Sequence, residues 1–411
     1  MKILYVCHRF PFPPTRGGKI RPFNMIRHFA QSHEVTVVSM VRSEEEAREG
    51  EGLREFCAHY EMVRVHDLPQ WGRTLLRLPT PVPSSFGYFY SHDMGRRIHA
   101  LAQRERFDLL FVHCSSVARY VEGIPAPKIL DFGDMDSQKW KEYALVRSAP
   151  VSWGYALEAA KLEREEARLA RAFDMCTATT RAEWETLQGY RTGTPSDWFP
   201  NGVDGASFAP STEPYDPDSV VFLGRMDYYP NQVAMIEFCR DVLPALRARR
   251  PATRLAIVGA NPSPAIAKLG ELAGVTVTGT VPAVQPYLQR AAVMVAPLTI
   301  ARGTQNKILE GMAAGVPVVA SRLAAGGVDA VAPDHLLAAT TPAEYVDALT
   351  RVLDNPGERE RLARAGRARV LTHHDWAHSM RRLDGIVERC LAARPAARVS
   401  RSPRNRKARA A

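Results

Sequence analysis

Ala301-Arg302-Gly303-Thr304-Gln305-Asn306-Lys307-Ile308-Leu309-Glu310-Gly311-Met312-Ala313-Ala314-Gly315-Val316-Pro317-Val318-Val319-Ala320 sets the architecture of the chain. It follows an apolar strand at 292–296 and opens a helix near Thr304. Gly315 closes that helix as a left-handed cap, and Pro317 stands beyond it, just before the next strand. The helix therefore begins at the carboxyl edge of a parallel sheet. Its free amide hydrogens and the positive end of its dipole make that position suited to a diphosphate.

On this helix Asn306, Lys307 and Glu310 share a polar face at spacings of three and four, while Ile308, Leu309 and Met312 turn toward a core. A carboxylate there can accept hydrogen bonds from two ribose hydroxyls, and a lysine nearer the helix start can meet phosphate. Spacing alone equally allows a surface Lys–Glu pair.

Outward from this segment, short apolar runs alternate with helical stretches, as in parallel sheets covered by helices. Strands are expected at 2–7, 34–40, 61–65, 108–113, 128–132 and 174–178, and again at 219–224, 254–259, 275–279, 292–296, 316–320 and 335–338. The series starts twice. Between the two lie Thr192-Gly193-Thr194-Pro195-Ser196-Asp197 and a Pro/Asp-rich run from Pro210 to Asp218, where regular structure is disfavoured. Expected units are a first domain over 1–197, a second over 198–373, a helix over 374–393 with apolar residues three and four apart, and a tail over 394–411. A further strong helix is expected over 155–172.

A length of 411 residues favours two cores over one. No stretch is apolar enough to span a membrane, the N-terminus lacks the form of a signal peptide, and the six scattered cysteines form no C-x-x-C pair. A reducing cytoplasm is the expected setting. Much of the net charge of +10 comes from Arg394, Arg398, Arg401, Arg404, Arg406, Lys407 and Arg409, so the body is only mildly basic. Without interleaved aromatic residues this tail does not read as a nucleic-acid binder; a solvated end or attraction to anionic lipid remain.

Four more places could carry chemistry. Val220-Val221-Phe222-Leu223-Gly224-Arg225 is a buried strand ending in a glycine and an arginine able to grip phosphate. Arg16-Gly17-Gly18-Lys19 follows the first strand, and its paired glycines either admit a ligand to the backbone or make a turn. His113 ends strand 108–113, as a structural residue or one facing a cleft. Asp134-Met135-Asp136 has the look of a metal-binding pair, but two Rossmann-like halves favour acceptor contact or loop structure. No G-x-G-x-x-G is present, which argues against a dehydrogenase.

The segment from Glu310 through Gly-Met-Ala-Ala-Gly-Val-Pro-Val-Val resembles the Glu-x7-Glu region of family 4 glycosyltransferases, with Glu310 at the second Glu and Arg302 in place of the first. Gly224-Arg225 resembles that family's donor loop, although Pro230-Asn231 stand where its lysine would be. The resemblance covers roughly 1–390 and is nearest to transferases of bacterial exopolysaccharide systems. It implies an α/β GT-B fold: two Rossmann-like domains with parallel sheets facing a cleft, and a C-terminal helix crossing back to the first domain. It implies a retaining, metal-independent hexosyl transfer from a nucleotide diphosphate sugar, without a cofactor, to a glycan or polyprenyl-linked acceptor. Implied catalytic positions are His113, Arg302 and Glu310. Implied donor contacts are Gly224, Arg225, Gly303, Thr304, Gln305, Asn306, Lys307 and Glu310, and implied acceptor-side residues are Gly17, Gly18, Lys19, Asp134 and Asp136. The basic, aromatic stretch from Trp71 through Arg73 and Arg77 to Phe86, Tyr88, Phe89 and Tyr90 would either meet an anionic membrane at the inner leaflet or simply cover the core of the acceptor domain. A nucleotide-sugar epimerase and a silent sugar- or lipid-binding relative are the rival readings.

Overall fold

The computed structural model describes residues 1–393, and the basic tail over 394–411 lies outside the described residues. Two parallel sheets organise them. The first contains β1 (Lys2–Cys7), β2 (Glu34–Val41), β3 (His59–Arg64), β4 (Leu109–His113), β5 (Lys128–Gly133), β6 (Met175–Ala178) and β7 (Ser196–Trp198), in the order β3-β2-β1-β4-β5-β6-β7. The second contains β8 (Asp216–Leu223), β9 (Arg254–Val258), β10 (Val275–Val277), β11 (Ala291–Ala296), β12 (Val318–Ser321) and β13 (Leu337–Ala339), in the order β10-β9-β8-β11-β12-β13. In each sheet the order reverses beside the domain's first strand, at β1/β4 and at β8/β11. Ligands of such open sheets bind outside the carboxyl ends at that switch.

The strands read as unbroken apolar runs because both faces of each sheet are covered. Ile3 to Cys7 and Ala291 to Ala296 are wholly buried. In the first sheet, Leu4, Leu110 and Leu130 pack with Leu162 and Leu169 of the helix Val151–Ala172. Ile3, Phe111 and Ile129 pack on the other face with Ile26 of the helix Gly17–Phe29 and with Leu383 and Ile386 of the last helix, Trp376–Ala393. The last helix thus completes the first domain's core, as the crossover reading expects.

The chain passes between domains twice, side by side. Val203 bridges Asp375, and its amide donates to the carbonyl of His374 at 2.8 Å. His374 Nε2 accepts the Asp329 amide at 3.0 Å, so Nδ1 carries the proton that it donates to the Asn201 carbonyl at 2.8 Å. Because His374 and Asp375 are engaged here, the last helix begins at Trp376 rather than at 374.

Three local expectations shift. The supposed linker around 192–197 contributes Ser196–Trp198 as the edge strand β7, which is too short and polar to show a strand period; the first sheet therefore runs through Trp198, past the expected limit at 197. The helix expected from Thr304 starts at Asn306, since the preceding residues contact the other domain. Phe86, expected at a membrane surface, is buried in the first domain's core.

Strand register sets Cys7, His113, Asp131 and Thr177 in one row near the carboxyl edge. Asp131 is fully buried. Its carboxylate accepts two bonds from Arg21, each 2.9 Å, one from Thr177 Oγ1 at 2.8 Å, and one from His113 Nδ1 at 2.7 Å. Burial would raise its pKa, but Arg21 and His113 outweigh that and hold it well below the usual carboxylate range. Arg21 also donates to the Phe199 carbonyl at 2.9 Å and to Asn201 Oδ1 at 3.1 Å, tying the sheet to the first interdomain crossing.

Arg21→Ala is expected to cost about 3–5 kcal/mol of folding stability by leaving a buried carboxylate without its cation. The depressed pKa gives stability present above the unfolded Asp pKa and lost as pH falls, so the difference from wild type should shrink in acid. Urea unfolding at pH 7 and pH 3 measures both, and a loss below about 1 kcal/mol at pH 7 would show that the pair is not a main support.

Candidate functional site

The carboxyl edges of the two sheets meet along the segment 301–306. Gly303 has a φ of 61°, a left-handed conformation that suits glycine, and a Cβ there would lie 1.8 Å from Asp134 Oδ1. Arg302 reaches into the first domain, 2.6 Å from Glu142 and 3.6 Å from Glu183. Asn306 Oδ1 accepts from Asn201 Nδ2 at 3.2 Å, and a Cβ on Gly17 would stand 3.8 Å from Asn306 Nδ2. The Gly-Gly loop, the Asp134 loop and the helix Asn306–Ala313 therefore surround one cleft, and Arg302 serves as a cation between the domains.

On the second-domain side the helix start and the loop after β8 converge. Lys307 Nζ donates to Asn231 Oδ1 at 2.6 Å and lies 4.3 Å from the Phe222 ring centre. Asn231 Nδ2 in turn donates to the Arg225 carbonyl at 2.8 Å. A Cβ on Gly224 would fall 2.6 Å from Asn231 Nδ2 and 3.1 Å from Lys307 Nζ, so this strand end is crowded by polar groups. Lys307 thus arrives from the facing helix at the loop that carries Pro230 and Asn231. Arg225 pairs with Asp227, with Nε at 3.0 Å, and keeps about a third of its side-chain surface in solvent.

Glu310 lies one helical turn beyond Lys307, only partly exposed, and its carboxylate accepts no hydrogen bond among the described residues. Burial pushes the Glu310 carboxyl up to about 7 and the Lys307 ammonium down to about 7, each shift opposed by attraction to the other group. The two do not form a close ion pair. The arrangement offers a carboxylate acceptor, a desolvated amine and helix-start amides to one ligand, with Thr304 Oγ1 also unpartnered and Gln305 bonded to the Arg302 carbonyl at 2.9 Å.

On the first-domain side His113 is buried, and its Nδ1–H points to Asp131, which leaves Nε2 as an acceptor. Asp134 accepts from Thr179 Oγ1 at 2.8 Å, while Asp136 opens the helix Asp136–Val146 with its carboxyl raised by burial. Among the described residues no cluster of His, Cys, Asp and Glu has the form of a metal site. Lys19 is buried and paired with Glu46 at 2.9 Å, so its charge is spent inside the domain, while Gly17 and Gly18 remain at the rim.

Arg21, Asp131, Glu142 and Glu183 belong to no motif that the sequence displays. Burial, reinforced by the negative charge of Asp134, pushes the Glu183 carboxyl up to about 8. Asp131 does carry a signal, as a charge inside the apolar run Ile129-Leu130-Asp131-Phe132. Glu142 and Glu183 sit on ordinary helical surfaces in sequence; in the fold both answer Arg302, and Glu183 also accepts the Met135 amide at 2.8 Å.

Residues 217–355 match the family described as Glycosyl transferases group 1. A search of curated protein sequences gives no match. Solved structures share the fold. Sucrose-phosphate synthase from Thermosynechococcus elongatus superposes with a TM-score of 0.70 at 15% identity, covering 96% of this chain and 100% of its own. HepE from Anabaena, in complex with UDP and glucose, gives 0.68 at 13% identity, with 95% and 100% covered. A mutant of TarM from S. aureus, in complex with Fondaparinux, alpha-GlcNAc-glycerol and UDP, gives 0.66 at 10% identity, with 94% and 99% covered. The chain has the two-domain GT-B fold and carries a glycosyl transferases group 1 region in its second domain.

Lys307→Met is expected to stabilise the folded protein by about 0.5–2 kcal/mol at pH 6, by removing a desolvated ammonium from a binding cleft. A folded pKa below the unfolded one means the penalty is full below the folded value and fades as pH approaches the unfolded value, so the gain at pH 9 should be smaller. Unchanged or reduced stability at pH 6 in urea unfolding would show that the amine is not desolvated.

Proposed function

We propose that the chain is a glycosyltransferase that moves a hexosyl group from a nucleotide diphosphate sugar to a glycan or polyprenyl-linked acceptor, in cell-envelope or exopolysaccharide synthesis. The observation that carries this reading is Glu310, a carboxylate held beside Lys307 at a helix start without a protein donor of its own. Ribose hydroxyls supply the missing donors. Lys307, Arg225 and the first amides of the helix stabilise charge on the departing diphosphate, which is the step at which preorganised donors lower the barrier. That charge stabilisation is the role a metal would otherwise fill, in keeping with a metal-independent reaction. HepE and TarM are each described with UDP, which favours a uridine nucleotide as the first donor to try. In this reading His113 Nε2, its ring oriented by Asp131, accepts a hydroxyl hydrogen near the reacting sugar, and retention of configuration is the proposed outcome.

A thermal-shift panel of nucleotide diphosphates followed by transfer assays with UDP-sugars tests this, because a ligand of the folded state raises its stability. UDP should shift the transition, and Glu310→Gln should weaken UDP binding by about 1–3 kcal/mol. Turnover of a nucleotide-sugar without any acceptor product would instead indicate an epimerase, and binding without turnover a silent relative.

The acceptor is proposed to be met at the cytoplasmic face of an anionic membrane. More than half of the large apolar side chains exposed among the described residues fall within 68–157. They include Leu68 at 87% exposure, Trp71 and Leu76 on the helix Asp67–Leu76, and Leu145 at 85% and Trp153 on the corner between the helices Asp136–Val146 and Val151–Ala172. Lys161 Nζ donates to the Leu78 carbonyl at 2.7 Å, joining the two groups, and Arg73, Arg77 and Arg147 lie among them. Apolar side chains beside arginines complement an anionic lipid surface. No helix among the described residues is long and apolar enough to cross a membrane.

Anionic vesicles should co-sediment the protein at low salt and release it as salt rises. Trp71→Ser with Leu76→Ser, and separately Arg73→Glu with Arg77→Glu, should each weaken binding about tenfold or more. Failure of wild type to bind, or loss of binding on deleting 394–411 alone, would remove this face from the proposal.

A further inference from the structure

The first-domain rim of the cleft holds three arginines, more than its own carboxylates match, beside the His8 ring, which burial holds toward its neutral form. His8 and Arg9 follow β1, Arg42 follows β2, and Arg16 precedes the Gly-Gly pair. His8, Arg9 and Arg42 gather on one aromatic floor. The His8 ring meets Phe89 edge-on with centroids 5.1 Å apart, the Arg9 guanidinium lies 5.6 Å from the centre of the same ring, and that of Arg42 lies 5.7 Å from it and 3.8 Å from Tyr88.

Their partners are unequal. Arg16 shares Glu46 with Lys19, and Arg42 pairs with Asp67. Arg9 has no carboxylate at ion-pair distance among the described residues. The acid it influences electrostatically, Asp136, is only partly exposed and shifted by desolvation toward its neutral form. His8 Nδ1 and Arg16 Nε are buried without any hydrogen-bond partner. Burial, then repulsion from Arg16 and Arg42, lowers the Arg9 pKa. Burial, then Arg9 and His113, does the same to His8. Unmatched charge and orphaned polar atoms in one place are costly unless a ligand completes them.

The place is the cleft itself. A Cβ on Gly18 would stand 3.6 Å from Arg9 Cδ, its neighbour Gly17 faces Asn306, and the His8 and His113 rings lie 5.8 Å apart. Lys307 and Arg225 already provide cations for a donor diphosphate on the opposite wall; Arg16 is near enough to Arg225 and Asp227 to feel both charges, whereas Arg9 and Arg42 are held on Phe89 within the first domain, and that pair is what can serve a second anion.

We propose that Arg9 and Arg42, with His8 and Arg16 beside them, form an anion subsite that takes a phosphate carried by the acceptor. Guanidinium groups grip phosphate with paired N–H donors, and the Phe89 and Tyr88 rings hold two of them in place. The proposal rests on the glycosyltransferase reading for the word acceptor; the anion subsite stands on the geometry alone. Either a soluble phosphosugar or a lipid-linked phosphate supplies this chemistry.

Calorimetric titration of inorganic phosphate into the full chain, alone and saturated with UDP, tests the subsite. Phosphate should bind in both conditions. Arg9→Ala should weaken it by about ten- to a hundredfold, the loss expected for a charge-assisted contact, while Arg240→Ala, on an exposed second-domain surface where Arg240 pairs with Asp241, leaves both titrations unchanged. Arg9→Lys should recover part of the loss, which separates lost charge from lost folding. A hexose monophosphate and a polyprenyl phosphate in detergent, titrated in parallel, distinguish the two sources by which one binds more tightly than phosphate and depends on Arg9. Equal phosphate binding by wild type and Arg9→Ala, no binding by wild type, or complete displacement of phosphate by UDP would overturn the subsite. Failure of UDP to bind, with phosphate still sensitive to Arg9, would instead count against the donor reading.

Discussion

Asp131 is the constraint around which both domains are arranged. A fully buried carboxylate in the middle of a parallel sheet is tolerable only with a cation and a full set of donors, and Arg21, His113 and Thr177 provide them from three separate elements. Strand register therefore has little freedom, because a slip of one residue would strand the charge. Arg21 then passes the constraint on through Asn201, which bonds to Asn306 at the start of the second domain's helix. The position of His113 and the approach of the two walls of the cleft follow from one desolvated charge and its partners.

Away from the cleft, charge is largely paired. Arg168 holds Glu122 and Glu165, Arg250 holds Asp218 and Asp354, and Arg389 holds Asp197. Among the described residues the imbalance is seen where the domains face each other: Glu310 lacks a donor, Lys307 has only an amide oxygen, His8 Nδ1 has no hydrogen-bond partner, and Arg9 has an aromatic ring but no carboxylate. A folded chain can maintain that imbalance because the cost falls on a few residues and the two cores carry the stability.

Much of the fold was legible because burial leaves a plain trace in sequence. Ile3-Leu4-Tyr5-Val6-Cys7 reads as a covered strand, Gly315 and Pro317 punctuate a helix end, and Trp376, Met380, Leu383, Ile386 and Val387 mark one face of the last helix. β7 was not legible, since three residues cannot show a period. The polar face of Asn306, Lys307 and Glu310 was visible from spacing, but that Lys307 meets Asn231 instead of pairing closely with Glu310 depends on a contact across seventy-six residues. Arg302 shows the same limit: sequence marks the substitution, while Glu142 and Glu183, which answer its charge, belong to the other domain.

The last helix has a consequence for how the protein is made. Residues 376–393 cover the face of the first sheet bearing Ile3, Phe111 and Ile129, yet they leave the ribosome only after the entire second domain. Until then the first half of the nascent chain exposes a sticky apolar face and cannot reach its final packing, however well its strands have paired. The second domain has its own buried cluster and none of this dependence, so it can close first, reversing the order in which the two were translated. Chaperone demand during synthesis should accordingly fall on the half that emerges earliest.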